Sequence, residues 1–232
     1  MKLGLISDVH GNSFALEAVL EVLEGQVDQI LFLGDVAGYY PFVNDCAEMC
    51  GRCVSVRGNH DEVLLQCLAS GSGPSEEYNQ RYGSALARSL PTLSQKTRNL
   101  IGSWPVQQSY QIQTQTRNLS IGLYHGAPWN PLNGRVYPDF SAWSRFDECD
   151  DTVVVLGHTH YPFVKQLPGK LIINPGSVGQ ARDRSGSACY GILDSETMTV
   201  LLQRVAYDPR ELLRDARHHN PDLPYLAEVL TR

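Results

Sequence analysis

The chain has 232 residues, of which 42% are hydrophobic and 19% are charged, and its formal net charge is −6 at pH 7. This composition is typical of a folded globular protein and excludes a disordered or fibrous chain. The negative balance provides no global positive field for nucleic acid or for a membrane surface, so an anionic substrate would need local positive charge.

The amino terminus and the lack of a long apolar run predict a cytoplasmic protein. The opening MKLGLISDVH turns polar too soon for a signal peptide, and no later run reaches the roughly 20 apolar residues of a membrane-spanning helix. Cys50 and Cys53 form a C-x-x-C pair, but no second pair completes a thiolate metal site. We therefore interpret the cysteines as small buried residues.

The first half of the chain alternates apolar strands with amphipathic helices. Strands are predicted at 3–7, 29–33 and 53–57. Helices are predicted at 13–24, 44–50, 61–69, 76–90 and 93–102. This alternation favours a parallel sheet with right-handed crossovers.

The second half of the chain is rich in strands. They are predicted at 106–113, 119–124, 153–156, 163–166, 171–174, 189–193 and 199–205. The segments 116–118 and 168–170 suit hairpin turns, and the tail from Asp208 predicts a short helix followed by an extension punctuated by prolines. No boundary divides the chain, so we expect one domain over residues 1–232 that contains two sheets.

Side chains that bind metals follow five of the predicted strands. They are Asp8, His10, Asp35, Asn59, His125, His158 and His160. Because ligands bind beyond the carboxyl ends of strands in open α/β sheets, these side chains could converge on one site. Imidazole, carboxylate and amide groups suit divalent transition ions, and their number is about twice what one zinc ion takes. The pattern therefore predicts two metals.

Spacing suggests how the ligands are divided. Asp8 and His10 can chelate one ion, and Asp35 is placed to bridge, because a carboxylate shares its charge between two cations more readily than an imidazole does. The remaining ligands would complete the pair, with Asn59 and His125 on the second ion and His158 and His160 divided between the two.

Two such ions support hydrolysis at phosphorus. They form a clamp that generates hydroxide near neutral pH and stabilises the attacking and leaving oxygens of an in-line displacement. His60 lies beside Asn59, where binding of both to metal is awkward. We assign it as the general acid or as a donor to a phosphate oxygen, with Asp61 as an orienting partner.

Five blocks of sequence together resemble the calcineurin-like metallophosphoesterases. They are Asp8-Val9-His10-Gly11-Asn12, Gly34-Asp35-Val36-Ala37-Gly38-Tyr39, Gly58-Asn59-His60-Asp61, His125-Gly126 and Gly157-His158-Thr159-His160. The stretches 173–180 and 182–183 look like the bacterial branch of small, single-domain phosphodiesterase-like members. The resemblance implies an α/β fold in which two mixed β-sheets pack as a sandwich flanked by helices. It also implies the ligand sets: Asp8, His10, Asp35 and His160 on one metal, and Asp35, Asn59, His125 and His158 on the other.

The chain departs from this branch at two loops. Members often carry Gly-Tyr-Gly-Pro after the bridging Asp, whereas this chain has Tyr39-Tyr40-Pro41, which predicts a bulkier loop over the site. Ala181 stands where relatives often have proline, which loosens the loop before Arg182. Two residues each have two possible roles. Asn12 could contact substrate or cap the first helix, and Arg182 could contact substrate or be solvated or paired with a carboxylate. Arg57 and Arg184 are interpreted as solvated or paired.

The sequence thus predicts an enzyme that hydrolyses phosphodiesters, and also phosphomonoesters, by in-line attack of a metal-bound hydroxide. The expected cofactors are two divalent cations, Mn²⁺ or iron first, with Zn²⁺, Ni²⁺ and Co²⁺ as alternatives. The expected partner is a small-molecule or nucleotide phosphoester. Two other functions stay open: hydrolysis of a dinucleoside polyphosphate or a cyclic nucleotide, and a non-catalytic metal-binding scaffold. The scaffold predicts missing ligands, and none is missing.

Overall fold

The structure is a computed structural model that describes residues 1–115, 117–183 and 186–232. Thr116, in the turn predicted at 116–118, and Arg184 lie outside the described residues. Within the described part of the chain, no helix is long and apolar enough to cross a membrane.

Two five-stranded sheets form the centre of the molecule. Their strands are β1 (Lys2–Ile6), β2 (Gln29–Phe32), β3 (Val54–Ser55), β4 (Gln107–Gln113), β5 (Asn118–Tyr124), β6 (Val153–Val155), β7 (Phe163–Leu167), β8 (Lys170–Asn174), β9 (Ala188–Asp194) and β10 (Thr199–Val205). The first sheet has the order β10-β9-β1-β2-β3 and the second β4-β5-β6-β8-β7. Strands β1 to β3 are parallel, as predicted, and antiparallel β9 and β10 make the first sheet mixed.

Strand alternation explains why the sheets pack as a sandwich. Leu3 and Leu5 of β1 are fully buried and point toward Ile121 and Leu123 of β5, whereas Ile6 packs on the helical side. Successive side chains of a strand point to opposite faces, so β1 contributes to both cores. The sandwich expected from the resemblance is confirmed.

Helices cover the outer face of the first sheet and close the molecule at its carboxyl terminus. They are α1 (Ser13–Leu23), α2 (Val43–Met49), α3 (Asn59–Ser70), α4 (Glu76–Tyr82), α5 (Ala85–Ser89), α6 (Gln95–Ser103), α7 (Arg210–His219) and α8 (Tyr225–Glu228). Cys46 and Cys50 are fully buried in this helical layer, as expected. An aromatic cluster around Trp129 and Phe146 covers the outer face of the second sheet.

Two helical predictions were wrong. The helix predicted at 76–90 is divided into α4 and α5, because Gly83 takes a φ of +84° and ends the first of them. The tail contains a second helix, α8, where an extension was predicted. Helix α8 belongs to a buried cluster that also includes Tyr40 and Leu212.

Candidate metal centre

The loops after the carboxyl ends of β1, β2, β5 and β6 and the start of α3 meet in one place. They bring together the seven predicted ligands, and Asp8, His10, Asp35, His125 and His160 are at most 2% exposed. Burial of carboxylates and imidazoles to this degree requires partners or a cation.

Most of these residues hold an unusual backbone conformation. Asp8, His10, Asp35, His158 and His160 have φ between 53° and 65°, and they are five of the six non-glycine residues with positive φ in the described part of the chain. The left-handed region costs roughly 1–2 kcal/mol for a residue with a Cβ. Such strain is concentrated at functional sites, which marks this cluster as one.

One group of side chains surrounds His10. His10 Nε2 lies 3.0 Å from His160 Nε2, 3.7 Å from Asp8 Oδ1 and 3.9 Å from Asp35 Oδ2. His160 Nε2 lies 3.2 Å from Asp8 Oδ1. Ligands about 2.0–2.2 Å from one ion are separated by roughly 3–3.5 Å, so this group could hold a cation after small adjustments.

A second group surrounds His125. His125 Nε2 lies 3.2 Å from Asp35 Oδ2, 3.0 Å from Asn59 Oδ1 and 3.2 Å from His158 Nδ1. Asp35 Oδ2 faces both groups, while its Oδ1 accepts the backbone N–H of His60 at 2.8 Å. The two groups therefore share one carboxylate oxygen.

Hydrogen bonds fix the tautomers of three imidazoles. The Nδ1 atoms of His10, His125 and His160 lie 3.0, 2.8 and 2.7 Å from the carbonyl oxygens of Ala37, Leu33 and Gln180, respectively. A carbonyl only accepts, so each Nδ1 carries a proton and each Nε2 faces inward, where its lone pair can bind a cation once that nitrogen is deprotonated. Lone pairs that converge on carboxylates fit a bound cation.

The charges of the buried side chains also favour a bound cation. Burial opposes ionisation of Asp8 and Asp35, but the charges of nearby histidines hold the pKa of both carboxyls below the usual range. The charge of Asp35 outweighs burial at His125 and raises the pKa of that imidazole to about 9. The buried anions thus demand positive charge, which a divalent cation would supply.

A family model described as calcineurin-like phosphoesterase superfamily domain matches residues 1–198. The chain belongs to this family.

Several relatives cover most of this phosphoesterase. It is 29% identical to a metallophosphoesterase from Sphaerobacter thermophilus, with a TM-score of 0.79 and coverage of 99% of this chain and 98% of the other. It is 30% identical to the uncharacterized protein MJ0912 of Methanocaldococcus jannaschii (89% and 88% covered) and 26% identical to phosphodiesterase YfcE of Escherichia coli K12 (87% and 91%). The protein is therefore a metal-dependent phosphoester hydrolase.

Residues outside the predicted ligand set hold Asp8 of this phosphoesterase in place. Its Oδ2 accepts from the Ser7 hydroxyl at 2.6 Å and from the His158 backbone N–H at 3.0 Å. The Ser177 hydroxyl donates to the Asp8 carbonyl oxygen at 2.7 Å. Sequence reasoning missed these serines, although Ser177 lies in a stretch that already resembled the family.

Asp61 organises the loops around Asp35. Its carboxylate accepts the backbone N–H groups of Asp35, Ala37 and Gly58 at 2.8, 3.0 and 2.9 Å. A Cβ on Gly58 would lie 2.1 Å from Asp35 Oδ1, so this close approach requires glycine. The prediction that Asp61 orients His60 was wrong, because the Asp61 oxygens are bound to these backbone groups.

Tyr78, rather than Asp61, contacts the His60 ring and orients it. The Tyr78 hydroxyl hydrogen-bonds His60 Nδ1, and the His60 ring also packs at 4.7 Å from the Tyr82 ring. Tyr78 was missed because α4 carries no motif and only the fold brings it to the site. The contact ties Nδ1 to Tyr78, so Nε2 is the ring nitrogen that remains available at the cavity, which His60 lines.

A cavity of about 430 Å³ opens onto the centre. His60, Arg182 and Tyr39 line it, and Arg182 donates to the Tyr39 hydroxyl at 2.8 Å. Asn12 is fully buried below it, where its side chain caps α1 and donates to the Gly179 carbonyl oxygen. A direct substrate contact by Asn12 stays a prediction. Arg57 is paired, with its Nε 3.1 Å from Glu62 Oε2.

The second tyrosine of the loop at 38–41 does not cover the site as expected. Tyr40 is fully buried, and its hydroxyl donates to the Leu226 carbonyl oxygen at 3.0 Å. Tyr39 alone of the pair lines the cavity. The added bulk therefore anchors α8 rather than narrowing the entrance.

Proposed function

We propose that this phosphoesterase is a phosphodiesterase that uses two divalent cations. Asp8, His10, Asp35 and His160 would hold one cation, and Asp35, Asn59, His125 and His158 would hold the other. The observation that carries the proposal is the position of Asp35 Oδ2, which lies 3.2 Å from His125 Nε2 and 3.9 Å from His10 Nε2. Mn²⁺ or iron suits this mixture of nitrogen and oxygen donors best.

When bound, the cations would supply Lewis acidity, which lowers the pKa of water and neutralises phosphate oxygens. The protein itself would handle the leaving group. His60 Nε2 is placed to donate a proton or a hydrogen bond to the leaving oxygen, while Tyr78 holds Nδ1.

His158 Nε2 lies 3.4 Å from Arg135 Nε. If His158 binds a cation through Nδ1, its ring proton moves to Nε2 and the Arg135 contact is released.

We also propose that residues 1–232 form one domain. Tyr225 and Val229, near the end of the chain, line the same cavity as Asp35. Removal of the carboxyl-terminal segment would therefore open the active site.

The first test is turnover of bis(4-nitrophenyl) phosphate by purified protein loaded with Mn²⁺. We expect hydrolysis that a chelator abolishes and that Asp35→Asn lowers by more than about 100-fold, because losing a ligand of both cations should cost more than the roughly 10- to 100-fold effect of losing a group that only hydrogen-bonds a ligand. Asp45→Asn, on the exposed face of α2, is the matched control. Inertness with Mn²⁺, Fe²⁺, Co²⁺, Ni²⁺ and Zn²⁺ alike would indicate a binding scaffold.

The second test separates His60 from the ligands. His60→Ala should keep the metal content and lower kcat by roughly 10²- to 10⁴-fold, the usual effect of losing a general acid. Metal analysis of the variant is the deciding measurement. If metal content falls together with activity, His60 is itself a ligand.

A further inference from the structure

The cavity carries more positive charge than the reaction at one phosphate requires. Four arginines line it, Arg81, Arg135, Arg182 and Arg232, of which the last is paired with Glu228, and Asp35 is the only acidic side chain among its described lining residues. Asp35 is committed to the metal centre in the proposed function. The entrance is thus cationic although the whole chain is acidic, with a net charge of −6.

Three of the four arginines at the cavity stand without a carboxylate partner in the described part of the chain, and Arg232 is the exception. Five arginines there lie within 4 Å of a carboxylate: Arg57, Arg88, Arg204, Arg210 and Arg232. No described carboxylate lies that close to Arg81, Arg135 or Arg182. Uncompensated guanidinium groups around a pocket favour binding of an anion.

Two of the three lie on the same side of the centre as His60. Arg182 donates to the hydroxyl of Tyr39, whose ring is 5.3 Å from the His60 ring. The Arg81 guanidinium lies 5.3 Å from the ring of Tyr82, which is 4.7 Å from the His60 ring. A single aromatic ring therefore separates each guanidinium from His60, the residue proposed to act at the leaving oxygen.

Tyr225 of α8 lies beside Arg81, because its hydroxyl donates to the Arg81 carbonyl oxygen. Burial raises the pKa of the Tyr225 hydroxyl to about 12, and the positive charges of Arg182 and Arg81 oppose this rise. Both charges thus act at one wall of the cavity, which offers hydroxyl and aromatic surfaces beside them. Arg135 lies apart, next to His158.

We propose that Arg81 and Arg182 bind a second phosphoryl group on the leaving side of the substrate. The preferred substrates are then nucleoside or dinucleoside polyphosphates rather than simple diesters. Water would add to one phosphorus, the bond from that phosphorus to the bridging oxygen would break, and the bridging oxygen would keep the electron pair. The two products are phosphorylated, and one proton is released. This inference rests on the proposed function.

The test compares substrates that share two adenosines and differ in phosphate number. They are adenylyl(3′→5′)adenosine, diadenosine pyrophosphate and diadenosine triphosphate, each with the Mn²⁺-loaded full chain. We expect kcat/KM at least 10-fold higher for the polyphosphates. Arg81→Gln and Arg182→Gln should each lower this preference by about 10-fold, the usual effect of losing a charged hydrogen bond.

Arg52→Gln is the control, because Arg52 is exposed and precedes β3, at the edge of the sheet opposite the site. The inference is overturned if the dinucleotide and the polyphosphates have equal kcat/KM, or if neither pocket variant changes their ratio. Hydrolysis of bis(4-nitrophenyl) phosphate runs in parallel. Its absence would count against the proposed function, whereas its presence without a polyphosphate preference would count against this inference alone.

Discussion

Backbone carbonyl groups orient three of the imidazoles that face the centre. The partners of His10, His125 and His160 are carbonyl oxygens in or beside the strand-end loops rather than mobile carboxylates. Because the sheets hold these carbonyls, the rings keep their direction before any cation binds. A preorganised site of this kind needs only small adjustments of its ligands to bind metal.

Tyr78 is a positioning residue that acts through His60. Tyr78→Phe removes the hydroxyl at Nδ1 but retains the ring, so metal content and thermal stability should change little. We expect kcat to fall about 10-fold for an alkyl diester and less for a 4-nitrophenyl ester, because a good leaving group needs less protonation.

Tyr110→Phe, in edge strand β4, is the control for this experiment. A merely structural role for Tyr78 would slow both leaving groups equally. Equal slowing, or loss of metal, would therefore contradict the assignment.

At the scale of elements, the start of α3 connects the loops after β2 and β3. Asp61→Ala would remove the acceptor for three buried backbone N–H groups. Each unsatisfied group costs about 1–3 kcal/mol, so we expect a loss of at least about 3 kcal/mol in the free energy of unfolding. Urea unfolding of chelator-treated protein measures it without contributions from bound metal.

Glu62→Gln, at the next position of α3, is the matched control for Asp61→Ala. Its ion pair with Arg57 is partly exposed, so the change should stay near 0.5 kcal/mol. Equal losses in the free energy of unfolding for the two substitutions would show that the hydrogen bonds of Asp61 do not stabilise these loops.

Strands and ligands were predictable because their signals are local. Apolar runs followed at once by Asp, Asn or His predict both a strand and its carboxyl end, and the structure brings all seven predicted ligands together there. Pairing of β9 beside β1 was not predictable, because it joins residues nearly 190 positions apart. The positions of Tyr78, Ser177 and Arg81 at the site were not predicted for the same reason. These residue types are common, and only tertiary contacts bring these three to the site.

The carboxyl-terminal segment completes the cavity beside the candidate metal centre. The family match ends at residue 198, yet α8 supplies Tyr225 to the cavity wall. Tyr40 holds this helix from the loop that follows the shared Asp35. Relatives that differ in this segment should therefore differ in substrate preference.

Leu226→Ala tests the packing of that segment. Leu226 is fully buried beside Tyr40 and Leu212, so its truncation should cost about 2–5 kcal/mol in the free energy of unfolding. Activity toward polyphosphates should fall with it, because Tyr225 loses its support. Leu201→Ala, half exposed on β10, should change stability by only about 0.5 kcal/mol. Equal losses in the two variants would contradict the role given to α8.

The proposed function requires two cations that share Asp35. Anomalous diffraction from crystals of the Mn²⁺-loaded protein tests it most directly. Two manganese peaks about 3.5–4 Å apart are expected, one beside His10 and His160 and the other beside His125 and His158, with Asp35 Oδ2 between them. A single peak, or two peaks of which only one touches Asp35, would contradict the claim.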